Sequence, residues 1–288
     1  MPKFSTVALD LDGTALNSAH CLADETIAKI RELSSRGVRI LLATGRSTPA
    51  VYDHVLRLNL SVPLHCVLFN GAYGCVFKPN PTNPVDEIKD IFRIRLGAVE
   101  AKKVIDFGAA RGNCVQYYVR DRIYVHASSP GHASLMQRYT DLTSAVHTFC
   151  SSPGLKEAIA DSPTPEKILV MCEQSEVEEI AEGLTQLCES LEGVQYIIKG
   201  GFFVEVLGAC KGTGLEKMAA TLGISMGEIV AFGDGFNDLE FILGVGRGVA
   251  MKNGRQIIKD AADRTTDYTN EELGVVRELE RMEEMSEL

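Results

Sequence analysis

The sequence predicts an α/β fold, a doubly wound parallel sheet interrupted by an inserted α+β module. Three observations predict it. Short apolar runs with little alternation recur, and each stops at a polar residue beside a glycine or an acid. A helical pattern separates the first two runs, as a parallel crossover requires. Between roughly residues 80 and 207 the pattern changes to hairpins and amphipathic helices, which reads as a separate module.

The first run, VAL at 7–9, ends in Asp10, Asp12 and the turn Gly13-Thr14. Two acids two residues apart at the end of a buried strand bring like charges together where solvent is limited. That costs free energy unless a cation or a proton compensates. Alone, D-x-D-G is equally compatible with a capped turn. It is not an EF-hand, because its glycine is fourth and the twelfth position from Asp10 is Cys21.

Residues 24–37 read as a helix, with Asp24 as cap, Ile27, Ile30 and Leu33 as its apolar stripe and Gly37 as its stop. VRILLA at 38–43 is the second strand and delivers Thr44-Gly45-Arg46. A helical pattern over 48–58 leads to CVLF at 66–69, which ends in Asn70-Gly71. Far downstream, IVAF at 229–232 ends in Gly233-Asp234-Gly235-Phe236-Asn237-Asp238, and RGVAM at 247–251 ends in Lys252-Asn253-Gly254. In a doubly wound sheet, ligands bind at the carboxyl ends of the strands near the topological switch point. Five strand ends are therefore expected to form one rim.

Inside the insertion, residues 115–126 (VQYYVRDRIYVH) read as a hairpin around Arg120-Asp121-Arg122. Residues 167–171 and 194–198 read as strands, and 176–191 as an amphipathic helix. The insertion closes at Lys211-Gly212-Thr213, before a helical run that stops at Gly223. A lysine there is either solvated or part of an anion site built on the free N–H groups of the helix. The stretch from Gly208 does not spell a P-loop.

Composition narrows the classes. A chain of 288 residues, 45% apolar, can bury a core large enough to divide into two domains. Of the net charge of −10, −6 lies in residues 267–288, where apolar positions at helical spacing predict an amphipathic helix with an acidic outer face. The acidity argues against nucleic acid as a partner and leaves small anions open. The eight cysteines form no C-x-x-C pair, and the N-terminus carries no long apolar run. A reduced, cytoplasmic protein without a membrane segment is expected, as a monomer or a homodimer. The histidines show no metal spacing. Carboxylate and hydroxyl donors gathered on one rim favour Mg²⁺ shared with a phosphate group.

Taken in order, Asp10-Leu11-Asp12-Gly13-Thr14, Thr44-Gly45-Arg46, Lys211-Gly212 and the GDGFND of residues 233–238 resemble the four motifs of the haloacid dehalogenase superfamily. With Asn70-Gly71-Ala72 and GVAMKNG at 248–254, the set is similar to the Cof-type, class IIB branch. The resemblance implies a Rossmann-like core of residues 1–82 and 208–288, a cap domain of residues 83–207, and Mg²⁺-dependent hydrolysis of small phosphomonoesters through an aspartyl-phosphate. Asp10 is the implied nucleophile and Asp12 the acid and base. Thr44 and Lys211 would hold the phosphoryl group, and Asp10, Asp12, Asp234 and Asp238 the metal. Thr14, Gly45, Arg46, Asn70, Gly71 and Asn237 are implied on the substrate side, with a structural role for Arg46 equally open.

Asp10 is needed ionised and Asp12 able to carry a proton, so their pKa values are expected to shift in opposite directions. Tyr117, Arg120, Arg122, Tyr124 and His126 are candidates for selecting the leaving group. Two stretches depart from the branch: 205–210 lacks a proline turn, and 269–275 carries one extra residue. Two rival readings keep the same site, a phosphomutase using the same aspartate and a non-catalytic phospho-ligand binding protein. A dehalogenase would need neither Asp12 nor a metal.

Overall fold

The computed structural model describes residues 3–119, 121–126, 129–143, 147–149, 164–191, 193–194 and 196–288. The chain forms two units, residues 1–92 with 210–288 and residues 93–209.

The first unit is built on an eight-stranded sheet. In chain order its strands are β1 (Thr6–Leu9), β2 (Arg39–Ala43), β3 (Leu64–Leu68), β4 (Tyr73–Phe77), β5 (Ile88–Arg93), β12 (Ile229–Gly233), β13 (Arg247–Ala250) and β14 (Arg264–Thr265). Their order across the sheet is β14-β13-β12-β1-β2-β3-β4-β5. From β14 to β3 every pairing is parallel, and β4 turns back antiparallel on β3. The chain runs outward from β1 through β2 and β3, then returns to the other side of β1 at β12. The switch point thus lies between β1 and β12, and Asp10 and Asp234 leave the sheet side by side. The backbone N–H of Asp10 donates to the Phe232 carbonyl at 3.0 Å, fixing that adjacency.

Every residue of β1 and β12 is buried, which is why these strands read as unbroken apolar runs. The helices are α1 (Asp24–Ser35), α2 (Tyr52–Leu58), α6 (Lys211–Leu222), α7 (Leu239–Leu243), α8 (Gln256–Ala261) and α9 (Gly274–Glu284). Asp24 is the first residue of α1 rather than its cap, which is Ala23, and its Oδ1 accepts from Arg57 Nη2 at 3.1 Å. The acidic C-terminal segment forms α9, which buries Val275, Val276, Leu279 and Met282.

The second unit carries a six-stranded sheet of order β10-β11-β9-β6-β7-β8, with β6 (Cys114–Val119), β7 (Arg122–His126), β8 (His147–Phe149), β9 (Lys167–Met171), β10 (Tyr196–Lys199) and β11 (Phe203–Leu207). Its pairings are antiparallel except that of β7 with β8. Helices α3 (Ala98–Ala110) and α5 (Val177–Cys188) contribute Ala101, Val104, Ile105, Ile180 and Leu184 to a core shared with Val115, Ile168, Val170 and Val206. Helix α4 (Pro130–Thr143) carries the buried Tyr139, whose hydroxyl lies 2.6 Å from that of Tyr118. In the same unit Lys167 and Glu205, both buried, pair at 2.8 Å.

The first unit runs to Phe92, with β5 paired onto its sheet, and the chain returns to it at Cys210. Tyr117 and Tyr124 stack at 5.7 Å inside the core of the second unit, so they pack rather than face a ligand. Arg122 is exposed; Arg120 and the His126 side chain lie outside the described residues.

Candidate active site

β1 hands its chain to a tight turn at Leu11–Ala15, in which Asp12 is extended (φ −72, ψ 121) and Gly13 left-handed (φ +78). A side chain at Gly13 would place its Cβ 2.4 Å from an Asp234 carboxylate oxygen, so only glycine lets these two loops meet. Asp10 is 4% exposed, whereas the Asp12 side chain is 42% exposed. The turn therefore sends the two acids into different surroundings.

Lys211, at the first position of α6, is 1% exposed and donates to Asp10 Oδ1 at 2.5 Å and to Asp238 Oδ1 at 2.6 Å. The helix start is held by a reciprocal cap, in which Cys210 Sγ accepts from Thr213 N at 3.4 Å and Thr213 Oγ1 accepts from Cys210 N at 3.0 Å. Asp238 accepts from the N–H groups of Asp234 and Gly235 at 2.9 Å each, which folds the acidic loop around it. Thr14 Oγ1 donates to Asp234 Oδ1 at 3.3 Å.

Thr44 is buried at the end of β2, and its Oγ1 accepts from Arg46 N at 3.2 Å. Its carbonyl accepts from Asn70 N at 3.1 Å. Asn70 takes a left-handed backbone (φ +52), and its Oδ1 accepts from Asn237 Nδ2 at 3.0 Å. Gly45 packs against the Asn70 side chain, and Gly71 packs against the Cys210 carbonyl next to Lys211. The sequence-selected residues therefore meet on one rim.

Arg46 reaches the turn after β1. Its Nε and Nη2 donate to Asp12 Oδ2 and Oδ1 at 2.6 and 2.5 Å. His20 lies with Nδ1 3.0 Å from the same Oδ1. Asn270, in the stretch that carries one extra residue relative to the branch, also joins the site. Its N–H donates to Asn253 Oδ1 at 3.0 Å, and Asn253 Nδ2 donates to the Gly13 carbonyl at 2.7 Å, bracing the turn after β1.

The electrostatics follow from these contacts. Burial, then the charges of Asp238 and Asp234, push the Asp10 carboxyl well above the usual carboxylate range, with Lys211 opposing. Burial and Asp238 push Asp234 up to about 6. Burial alone would raise Asp12 too, but the Arg46 hydrogen bonds and charge, with His20, outweigh it and hold Asp12 low. Burial would lower Lys211, yet Asp10 and Asp238 hold it above the usual lysine value. The two acids do shift apart, but in the reverse sense to that expected from their roles. The cause is the surplus of buried carboxylates around Asp10 and the guanidinium on Asp12.

Oxygens of Asp10, Asp234 and Asp238 lie within 4.8 Å of one another, a group that could hold a metal ion. All are hard donors, and three carboxylates against one ammonium leave negative charge that a divalent cation would balance.

A doubly wound sheet thus brings an acidic cluster and a buried lysine together at its β1/β12 switch point. The chain belongs to the haloacid dehalogenase-like hydrolase family, whose profile matches residues 7–279. It is 28% identical over 274 residues to 5-amino-6-(5-phospho-D-ribitylamino)uracil phosphatase YitU of Bacillus subtilis, covering 94% of each chain. It is 25% identical over 273 residues to pyridoxal phosphate phosphatase YbhA of Escherichia coli, covering 91% of this chain and 94% of that one. Among solved structures, a haloacid dehalogenase-like hydrolase from Bacteroides thetaiotaomicron shares the fold with a TM-score of 0.78 at 23% identity, over 97% of this chain and 100% of that one.

Proposed function

We propose that this chain is a phosphoric monoester hydrolase that cleaves small phosphorylated metabolites through an aspartyl-phosphate. The observation that carries this reading is the buried ion cluster in which Lys211 bridges Asp10 and Asp238 beside Asp234. An Asp10 oxygen attacks phosphorus, the ester bond breaks, and the leaving oxygen takes a proton from Asp12. Water then attacks the phosphoryl group, giving its proton to Asp12, and orthophosphate leaves with Asp10 restored.

The first step draws on the form of Asp12 that carries a proton, and the second on the ionised form that Arg46 favours. Thr44, Lys211 and Asn237 hold the transferring group, with Gly45, Asn70 and Gly71 lining it and Thr14 steadying Asp234. Asp10, Asp234 and the backbone carbonyl of Asp12 would hold Mg²⁺, which when bound neutralises phosphoryl oxygens and relieves repulsion among the carboxylates. Both oxygens of Asp238 already accept hydrogen bonds, so its part is to shape the loop and hold Lys211.

The YitU and YbhA names, both phosphatases of small phosphate esters, support the substrate class. All seven described cysteines are free thiols, which supports a cytoplasmic setting. No helix among the described residues is long and apolar enough to cross a membrane. The test is phosphate release from a panel of small phosphomonoesters with and without Mg²⁺. Turnover that requires Mg²⁺ and is lost in Asp10→Asn is expected. No release from any ester by the purified protein would leave a phospho-ligand binding protein instead.

A further inference from the structure

The Arg46 side chain is 13% exposed and the donors of its guanidinium are largely committed. Nε and Nη2 form a fork on the two oxygens of Asp12, and Nη1 donates to the Ala50 carbonyl at 3.3 Å and lies 3.5 Å from His54 Nε2. Its own N–H is tied to Thr44 Oγ1. A bidentate arginine–carboxylate pair fixes both position and plane, which a single contact cannot do. Asp12 needs that restraint, because it sits on a turn of non-helical backbone with its side chain partly in solvent. His20 adds a second guide from a segment whose backbone is itself pinned, since Asn17 Oδ1 accepts from Ala19 N at 3.1 Å and Cys21 N at 3.0 Å. Lys211, by contrast, is directed at Asp10.

The geometry points to Arg46 as the positioning residue that aims the Asp12 carboxyl, rather than as a ligand of the transferring phosphate. This inference rests on the phosphatase reading. A residue that aims the proton-transfer group leaves substrate affinity alone and lowers the rate of chemistry, and a misplacement of about 1 Å can cost about 10²-fold. Lysine cannot reproduce a planar fork, so Arg46→Lys is expected to behave like Arg46→Gln.

The test is a cycle of wild type, Asp12→Asn, Arg46→Gln and the double variant. It is read by kcat and KM on a small alkyl phosphate and by calorimetric binding of orthophosphate with Mg²⁺ present. In the wild-type background Arg46→Gln should lower kcat by about 10²-fold, with KM and orthophosphate affinity within about twofold. In the Asp12→Asn background it should cost less than about twofold, because its effect passes through Asp12. Equal losses in both backgrounds, or a tenfold weaker affinity for orthophosphate, overturn the assignment. The pairing is read separately from the urea midpoints of the same four proteins. Non-additive shifts are expected, and strictly additive ones overturn it. A wild type that turns over no ester refutes the hydrolase reading, while the midpoints still decide the pairing.

Discussion

Replacing Lys211 by methionine tests the ion cluster most severely. The side chain is 1% exposed and its ammonium lies 2.5 Å from Asp10 Oδ1 and 2.6 Å from Asp238 Oδ1. Methionine keeps most of the buried stem and deletes the charge, leaving three clustered carboxylates with no cation. Removing one partner of a buried pair costs about 3–5 kcal/mol, most of it from the stranded charge. At about 2–4 °C per kcal/mol for a domain of 150–250 residues, the unit holding the site should melt on the order of 10 °C lower. Calorimetry at pH 7.5 in the absence of divalent cations is the assay.

The pH dependence of that loss carries a sign. Asp10 and Asp234 have raised pKa values in the folded chain, so the stability they contribute is present at low pH and is lost as pH rises through those values. Deleting Lys211 raises them further, so the gap between variant and wild type should narrow as pH falls from 7.5 towards 5. A Lys211→Met protein melting within about 2 °C of wild type at pH 7.5, or a gap that widens in acid, would refute the reasoning.

Three further outcomes are expected. Burial, then the charge of Arg39, lowers the pKa of His65 from its ordinary value of 6.5. The stability tied to its neutral form is therefore complete above that value and lost as pH falls below it, so His65→Asn should flatten the fall of Tm between pH 7 and 5. Parallel slopes would contradict this. In the second unit, Lys167→Met alone should cost about 3–5 kcal/mol in urea unfolding, while Lys167→Met with Glu205→Leu should recover most of it. Equal losses in the single and double variants would show that the pair does not act as a unit. Gly71 has φ +102, and a Cβ there would lie 1.8 Å from the Cys210 carbonyl oxygen. Gly71→Ala should therefore lower Tm and reduce turnover together, and an unchanged Tm would show that the two segments yield freely.

Much of the site was legible because strands buried on both faces read as apolar runs, and a run has to stop where the chain turns polar. Asp10, Thr44, Asn70 and Asp234 announce themselves in this way, and a parallel sheet carries them to one edge. β5 was not legible. Its sequence, IKDIFR, mixes adjacent charged and apolar residues, as an edge strand tolerates, and gives neither an apolar run nor a clean alternation. The Tyr117–Tyr124 stack was open between core and ligand for a related reason, since aromatic and charged residues on a hairpin look alike in either setting. The grip of Arg46 on Asp12 joins residues 34 positions apart, and no spacing rule reveals a contact made by two loops meeting at a sheet edge. That contact also reversed the expected shift of Asp12, because one guanidinium outweighs the burial of a partly exposed acid.

In the proposed reaction Asp10 itself takes the phosphoryl group. This is tested by acid-quenching the protein during turnover of a small phosphomonoester with Mg²⁺ and weighing the peptide that contains residues 7–14. A hydroxylamine-sensitive phosphoryl adduct is expected on Asp10, accumulating when Asp12 is replaced by alanine. Turnover with no adduct in either protein, or undiminished turnover by Asp10→Asn, would contradict it.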